Sequence, residues 1–342
     1  MRGMNRAAAS VVVLSVIGVG TVAAGGRGQP AEAKSGRGTI ERIDAALDRL
    51  IPRDSAIEKV SAGFILPEGP VWVNKGSDPH LVLSDIRGNV IYRWSPKTGL
   101  SELLKPVYGG PHKAGDTVGP NGTTVDREGR VVFCEMADRR ISRLERDGRR
   151  TVLASHYQGK RLNAPNDLVY RSDGWLYFTD PFVGIKDPAA RELDFNGINR
   201  VGPSGDVEVL SREKTVPNGI AFSPDETRLY IGDTGTQSWK VYDVDAKGAL
   251  QNGRVFYDPR AEKGAGPVDG LKVDEHGNLW ASGLGRVFVI NPDGRLLGAI
   301  NLPEVPNNVA FGGEDGKTLY IPAHTSLYRI RLSVRGASLP GY

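Results

Sequence analysis

Glu68-Gly69-Pro70-Val71-Trp72, Asn121-Gly122-Thr123-Thr124-Val125, Asn166-Asp167-Leu168-Val169-Tyr170, Asn218-Gly219-Ile220-Ala221-Phe222, Asp269-Gly270-Leu271-Lys272-Val273 and Asn307-Asn308-Val309-Ala310-Phe311 are six renderings of one short motif. An oxygen-bearing side chain comes first, one spacer follows, and an apolar stretch begins. The spacing between successive copies runs from 38 to 53 residues. A repeat of that length marks a stacked or radial array. Within each repeat, turn residues such as Asp126-Arg127-Glu128-Gly129 and Asp274-Glu275-His276-Gly277 lead into a second apolar run, among them Val131-Val132-Phe133 and Leu279-Trp280-Ala281. A third run follows, as in Trp239-Lys240-Val241-Tyr242. Turn signals between β-branched and aromatic runs predict hairpins. Three or four strands in about 50 residues, six times over, predict an all-β fold, a six-bladed β-propeller. Solenoid repeats are usually shorter and carry atypical end caps. Ile57–Ala62 is placed to pair with the last blade and close the ring.

The regions outside the repeats read differently. Arg2 and Arg6, an apolar run from Ala7 to Ala24 and the small-residue site Ala31-Glu32-Ala33 have the pattern of a secretory signal peptide over residues 1–33. An uncleaved membrane anchor is the competing reading, since the run approaches spanning length. Export to the periplasm or the medium is therefore expected, with no membrane attachment after cleavage. Residues 34–56 form an N-terminal segment. Ile40, Ile43, Leu47 and Ile51 fall at helical spacing there and predict a short amphipathic helix over 40–51. Residues 57–342 remain for the propeller. The composition, 39% hydrophobic and 25% charged with 44 Gly and 22 Pro, suits many short strands joined by turns. A net charge of +4 with scattered Lys and Arg gives no nucleic-acid signature. A single cysteine, Cys134 in the strand-like run Arg130–Cys134, excludes an intrachain disulfide and reads as a buried small hydrophobe.

A propeller brings the first residue of each motif to one mouth of the central channel. Four of the six are Asn, with Glu68 and Asp269 the other two. Amide and carboxylate oxygens suit calcium, and two carboxylates balance a divalent ion. The Cys and His that zinc usually prefers are missing from these positions. Asn and Asp also cap turns, which accounts for one or two positions; Glu68 is a poor turn former in the same slot. Asp85, Glu135, Asp180 and Asp233 end the second strands, where they either rim the pocket or cap loops. His112, His156 and His324 lie in loop stretches without ligand spacing. No G-x-S-x-G elbow, P-loop or dinucleotide fingerprint in the required context is present.

Leu66-Pro67-Glu68-Gly69-Pro70-Val71-Trp72, Gly119-Pro120-Asn121-Gly122, Lys160-Arg161-Leu162-Asn163-Ala164-Pro165-Asn166-Asp167, Tyr177-Phe178-Thr179-Asp180-Pro181, Val216-Pro217-Asn218-Gly219 and Val268-Asp269-Gly270 together resemble the SMP-30/gluconolactonase family, and its bacterial gluconolactonase branch in particular. The resemblance runs from about Ile40 to Leu332. It implies an exported, metal-dependent lactonase acting on a gluconolactone-like sugar lactone through a metal-activated water. It implies Glu68, Asn218 and Asp269 as metal ligands, with Asn166 on the metal, its water or the substrate. Asp269 is also the candidate general base. Asn121 and Asn166, with Glu135 and Asp180 at the rim, are the candidate substrate contacts. The expected ion is Ca2+ or another divalent cation such as Zn2+, Mg2+ or Mn2+. Some relatives hold the sugar with an arginine where this chain has Ala164. A calcium-binding propeller that recognises sugar or protein without catalysis, and an aryl-ester hydrolase on the same scaffold, are the alternatives.

Overall fold

The computed structural model describes residues 38–185 and 187–337, and these lie in one compact unit. The expected signal peptide, residues 1–33, lies outside the described residues. The described chain forms six antiparallel sheets of four strands or more, in sequence order around a ring. Blade 1 is β3–β6 (Pro67–Val73, His80–Asp85, Val90–Ser95, Gly99–Leu104) and blade 2 is β7–β10 (Pro120–Val125, Val131–Glu135, Arg140–Leu144, Arg150–Ala154). A two-strand ribbon, β11–β12 (His156–Tyr157, Lys160–Arg161), precedes blade 3, β13–β16 (Leu168–Tyr170, Leu176–Asp180, Asn196–Val201, Val207–Glu213). Blade 4 is β17–β20 (Pro217–Phe222, Arg228–Asp233, Ser238–Val244, Leu250–Tyr257). Blade 5 is β21–β24 (Leu271–Val273, Leu279–Gly283, Arg286–Ile290, Leu296–Asn301), and blade 6 has β25–β27 (Ala310–Gly312, Thr318–Ala323, Ser326–Arg331).

The ring closes through the N-terminal chain. Strand β2 (Ile57–Ala62) supplies the fourth strand of blade 6, in antiparallel register with β27 from Ile57↔Ile330 to Ala62↔Ser326. The helix expected over 40–51 is shorter than its periodicity suggested. Thr39–Arg42 is a strand, β1, that adds a fifth member to blade 5 against β24. Only Ala45–Arg49 is helical, as a 3-10 turn whose cap, Asp44, accepts from the Ala46 N–H at 2.8 Å. Leu47, Leu50 and Ile51 still bury against Trp280, Leu297, Ile330 and Leu332, so the apolar spacing is used by a strand followed by a tight turn. An available β24 edge outcompetes a helix that has no second apolar stripe.

The local chemistry of the strands matches their place. Second strands β8, β14 and β22 are buried at every position, as expected of strands covered on both faces by neighbouring blades. The hairpins leading into them are set by aspartate turns. Asp126 Oδ1 accepts from the N–H of Glu128 and Arg130, and Asp274 Oδ1 from those of His276 and Asn278. Gly129 and Gly277 complete these turns at φ +77° and +83°, where a side chain would be strained.

Candidate active site

Contacts between neighbouring blades bring the six motifs to one axis. Thr123 Oγ1 donates to the Gly69 carbonyl, and Ser84 Oγ to that of Asn121 at 2.5 Å, joining blades 1 and 2. The Gly122 N–H donates to Asn166 O at 2.7 Å, Thr179 Oγ1 to Asn218 O at 2.7 Å and Thr234 Oγ1 to Val268 O at 2.7 Å. The Gly270 N–H and Ser282 Oγ both reach Asn307 O, at 2.9 and 2.7 Å. Asn307 Nδ2 then donates to Pro67 O at 3.0 Å, which returns the circle to blade 1. Asn307 is thus a ring-closing residue.

Glu68, Asp269 and Asn218 meet inside this circle. Glu68 is 6% exposed, and its Oε2 accepts from the Gly69 N–H at 2.7 Å and from Asn308 Nδ2 at 2.9 Å. Burial pushes its carboxyl up to about 7, against the pull of those two hydrogen bonds. Asp269 keeps part of its surface open, but its carboxyl is enclosed. Burial holds that carboxyl well above the usual carboxylate range, the Glu68 charge adds to the rise, and a hydrogen bond from Asn218 opposes it. Asn218 is fixed in turn by a 3.0 Å bond from its Nδ2 to Thr234 Oγ1. Two carboxylates that raise each other need either a proton or a cation between them. The available donors are all oxygens, which fits a hard cation. Among the described residues no group of three or more His, Cys, Asp or Glu is placed to hold a metal, so any cation held here would rest on two carboxylates and on amides. Asn166 and Asn121, 7% and 5% exposed, stand on the neighbouring blades of the circle. Asn121 Nδ2 contacts Met136 Sδ at 3.5 Å.

Three of the acidic residues ending the second strands cap loops. Asp85 accepts from the N–H groups of Ile65 and Leu66 at 2.7 and 2.9 Å, just before Glu68. Asp180, fully buried, accepts from the Asn163 N–H at 2.9 Å, just before Asn166. Asp233 accepts from the N–H groups of Val216 and Gly235 and pairs with Lys240 at 2.5 Å. Glu135, 2% exposed, binds Arg140 and Arg150, each at 2.9 Å. Of the two readings left open by the sequence, loop capping describes Asp85, Asp180 and Asp233, whereas Glu135 bonds arginine side chains. Asp180 positions the loop before Asn166, and Glu135 is held by the arginines of β9 and β10. Each of these two carboxylates keeps one buried oxygen, Asp180 Oδ1 and Glu135 Oε1, without a hydrogen-bond partner among the described residues. Burial pushes the Asp180 carboxyl up to about 7. Ala164 is fully buried, packed with Ile86 and Met136. Cys134 is enclosed, and burial raises its thiol well above the ordinary range, as befits a core residue. His112, His156 and His324 are exposed.

Three axial residues escaped the sequence reading: Asp167, Asn308 and Lys272. In the spacer slot four copies have glycine, while the third and sixth have Asp167 and Asn308. Their side chains lie over neighbouring blades. A Cβ on Gly122 would meet Asp167 Oδ1 at 2.6 Å, and one on Gly270 would meet the Asn308 side chain at 1.9 Å. Lys272 occupies a slot that is Val, Thr or Ala in the other five copies. Its Nζ lies 3.8 Å from Asp167 Oδ2. Both departures from the repeat were visible signals.

The family model described as SMP-30/Gluconolactonase/LRE-like region matches residues 66–325. A gluconolactonase of Zymomonas mobilis subsp. mobilis is 34% identical over 316 residues, 87% of each chain. The solved structure of XC5397 from Xanthomonas campestris, described as a gluconolactonase important in glucose secondary metabolic pathways, aligns with a TM-score of 0.76 at 32% identity. The alignment covers 86% of this chain and 94% of that one. A calcium-binding protein, regucalcin, from Agrobacterium tumefaciens shares the fold, with a TM-score of 0.65 at 20% identity over 82% of this chain and 95% of its own.

Proposed function

The chain belongs to the SMP-30/gluconolactonase/LRE-like family, and from that membership we propose that it hydrolyses a sugar lactone with the help of a divalent cation. The observation that carries this reading is the enclosed pair Glu68 and Asp269, with Asn218 hydrogen-bonded to Asp269. Glu68, Asn218 and Asp269 would hold the ion, with Asn166 joining directly or through water. When bound, such an ion supplies Lewis-acid polarisation of an ester carbonyl and lowers the pKa of water.

The chain's own groups do the rest. Asp269 takes a proton from the attacking water as its oxygen adds to the lactone carbonyl. The ring C–O bond then breaks, and the departing alkoxide takes that proton back, leaving the open hydroxy acid. Asn121 and Asn166 offer amide donors and acceptors to ring hydroxyls. Asp180 keeps the loop that carries Asn166 in place. Ala164 offers no charge to the sugar, so the amides supply the polar recognition. A site of this kind suits an activated cyclic ester and is too weak for an amide.

Aldonolactones, simple alkyl lactones and aryl esters, each assayed with and without chelator, test the reading. Sugar lactones turned over fastest, with loss on chelation and recovery on adding Ca2+, Mg2+, Mn2+ or Zn2+, is the expected result. Preferred turnover of aryl esters would leave a metal hydrolase of another substrate class. No hydrolysis of any of them would leave a non-catalytic binding propeller, and hydrolysis that survives chelation would refute the metal. The basic start, apolar run and Ala31-Glu32-Ala33 further support export, with processing between Ala33 and Lys34 and action in the periplasm or medium. N-terminal sequencing of the mature protein checks it; an intact Met1 in the cytoplasmic fraction would refute it.

A further inference from the structure

The axis carries more charge than the proposed metal ligands account for. Asp167 is 2% exposed. Its Oδ1 accepts from the Leu168 N–H at 2.9 Å and its Oδ2 from the Ile220 N–H of blade 4 at 3.4 Å. Its charge acts on both Glu68 and Asp269. Lys272 comes from blade 5 and reaches past blade 4 to Asp167 of blade 3. It is anchored by a 3.0 Å bond from Nζ to Leu271 O, and its charge also acts on Glu68. Three carboxylates and one ammonium therefore share the channel. Asn308, from blade 6, supplies a neutral donor to Glu68 and holds that side chain without altering the count.

We propose that Lys272, paired with Asp167 across the channel, is the residue that sets the axial site to a net charge of two minus, and so matches it to a divalent rather than a trivalent ion. The inference rests on the metal-site reading of Glu68 and Asp269. Glu68, Asp167 and Asp269 alone would present three negative charges. The Lys272 ammonium cancels one of them beside the site, where the low dielectric leaves charges poorly screened. Lys272 touches no reacting atom in this arrangement; it is a positioning and charge-setting residue. An axial slot that is Val71, Thr124, Val169, Ala221 and Ala310 in the other blades has no packing requirement for a lysine.

The charge count makes signed predictions that packing does not. Metal-free full-length protein is titrated calorimetrically with Ca2+ and with Tb3+, for the parent, Lys272→Gln, Lys272→Arg, Asp167→Asn and the Lys272→Gln/Asp167→Asn double variant. Lys272→Gln should bind both ions more tightly, by about tenfold or more for Ca2+ and by a larger factor for Tb3+, as expected of one unit charge removed from a poorly screened site. Asp167→Asn should weaken Ca2+ by a similar factor. The double variant should return to within about threefold of the parent, and Lys272→Arg should stay there throughout. Lys272→Gln binding Ca2+ with parent affinity, or both single variants weakening it, would overturn the proposal in favour of a packing role. Should Asp167→Asn fail to fold, the contrast of Lys272→Gln with Lys272→Arg decides alone. A parent that binds neither Ca2+, Mg2+ nor Mn2+ would refute the metal site itself, and the proposal with it; a parent that binds them while the variants do not differ refutes only the proposal.

Discussion

A carboxyl enclosed beside a second carboxyl keeps its proton unless a cation takes the proton's place, and Asp269 stands in that position next to Glu68. Asp269→Asn keeps the volume and the bond to Asn218 but removes both a ligand charge and a proton acceptor. Turnover should fall by at least about a thousandfold, and divalent-ion affinity should fall with it. Lactone hydrolysis at the parent rate would mean that Asp269 is neither base nor ligand. Asp180 offers a test on pH. Its carboxyl is raised to about 7 from an unfolded value near 4, so the native state holds the proton more tightly than the unfolded chain does. Its contribution to stability is full below about pH 4 and is lost as pH rises through about 7. Parent and Asp180→Asn should therefore differ in how stability changes across that window: the parent loses stability relative to the variant, by about 4 kcal/mol at most. Chemical denaturation at pH 4.5, 6 and 8 reads the difference, and parallel curves would show that burial does not govern this carboxyl.

Elements were legible where a repeat stated them six times over. The inner and second strands follow the motifs, and β2 closes the ring at Ile57–Ala62, as its place ahead of the first motif suggests. The stretch Ile40–Ile51 was ambiguous because Ile40, Leu47 and Ile51 serve a strand and a turn as well as a helix; Ile43, between the two, is exposed, and only the partner edge, β24, decides between them. Asp167, Asn308 and Lys272 were hidden for a related reason. A motif is read by what its copies share, whereas these residues matter because they break it. The close approach over Gly270 makes that visible: a methyl group there collides with Asn308, which holds Glu68. Gly270→Ala should cost about 2 kcal/mol or more of stability and reduce metal affinity, while Gly76→Ala, in open space, should leave metal affinity alone. Equal metal affinity in Gly270→Ala and the parent would show that Glu68 does not depend on this contact. The closing strand is tested by truncation. Removing the chain through Ser55 takes away the burial of Leu47, Leu50 and Ile51, each worth roughly 1.5–3 kcal/mol, and should lower the melting temperature. Removing it through Ala62 also strips the β27 edge of its partner, and should abolish cooperative melting and promote association. If the second truncation melts as the first does, ring closure does not depend on β2.

At the scale of the whole molecule, the six blades hold one another through the axial circle, and the proposed ligands are drawn from separate parts of it. Glu68 belongs to blade 1, Asn218 to blade 4 and Asp269 to the start of blade 5. An ion that binds all three joins blades that share no strand pairing with one another, so its binding energy appears as global stability. At a free concentration of one hundred times Kd, a native-state ligand adds about 2.7 kcal/mol, which for a domain of this size corresponds to a rise of roughly 4 °C in melting temperature. The rise should be the same whether the melt is followed by fluorescence of the buried Trp239 and Trp280 or by far-ultraviolet dichroism, because the ring unfolds as a unit. It should shrink to near zero in Glu68→Gln and in Asp269→Asn. Metal-free Asp269→Asn should melt at or above metal-free parent, since replacing one of two mutually repelling carboxylates by an amide relieves the axis. That reversal of order, with the variant at least as stable without the ion and less stable with it, separates a lost ligand from a damaged fold. A variant that is less stable in both states would mean a damaged fold, and one that keeps the full rise with added ion would place the stabilising ion away from the axis.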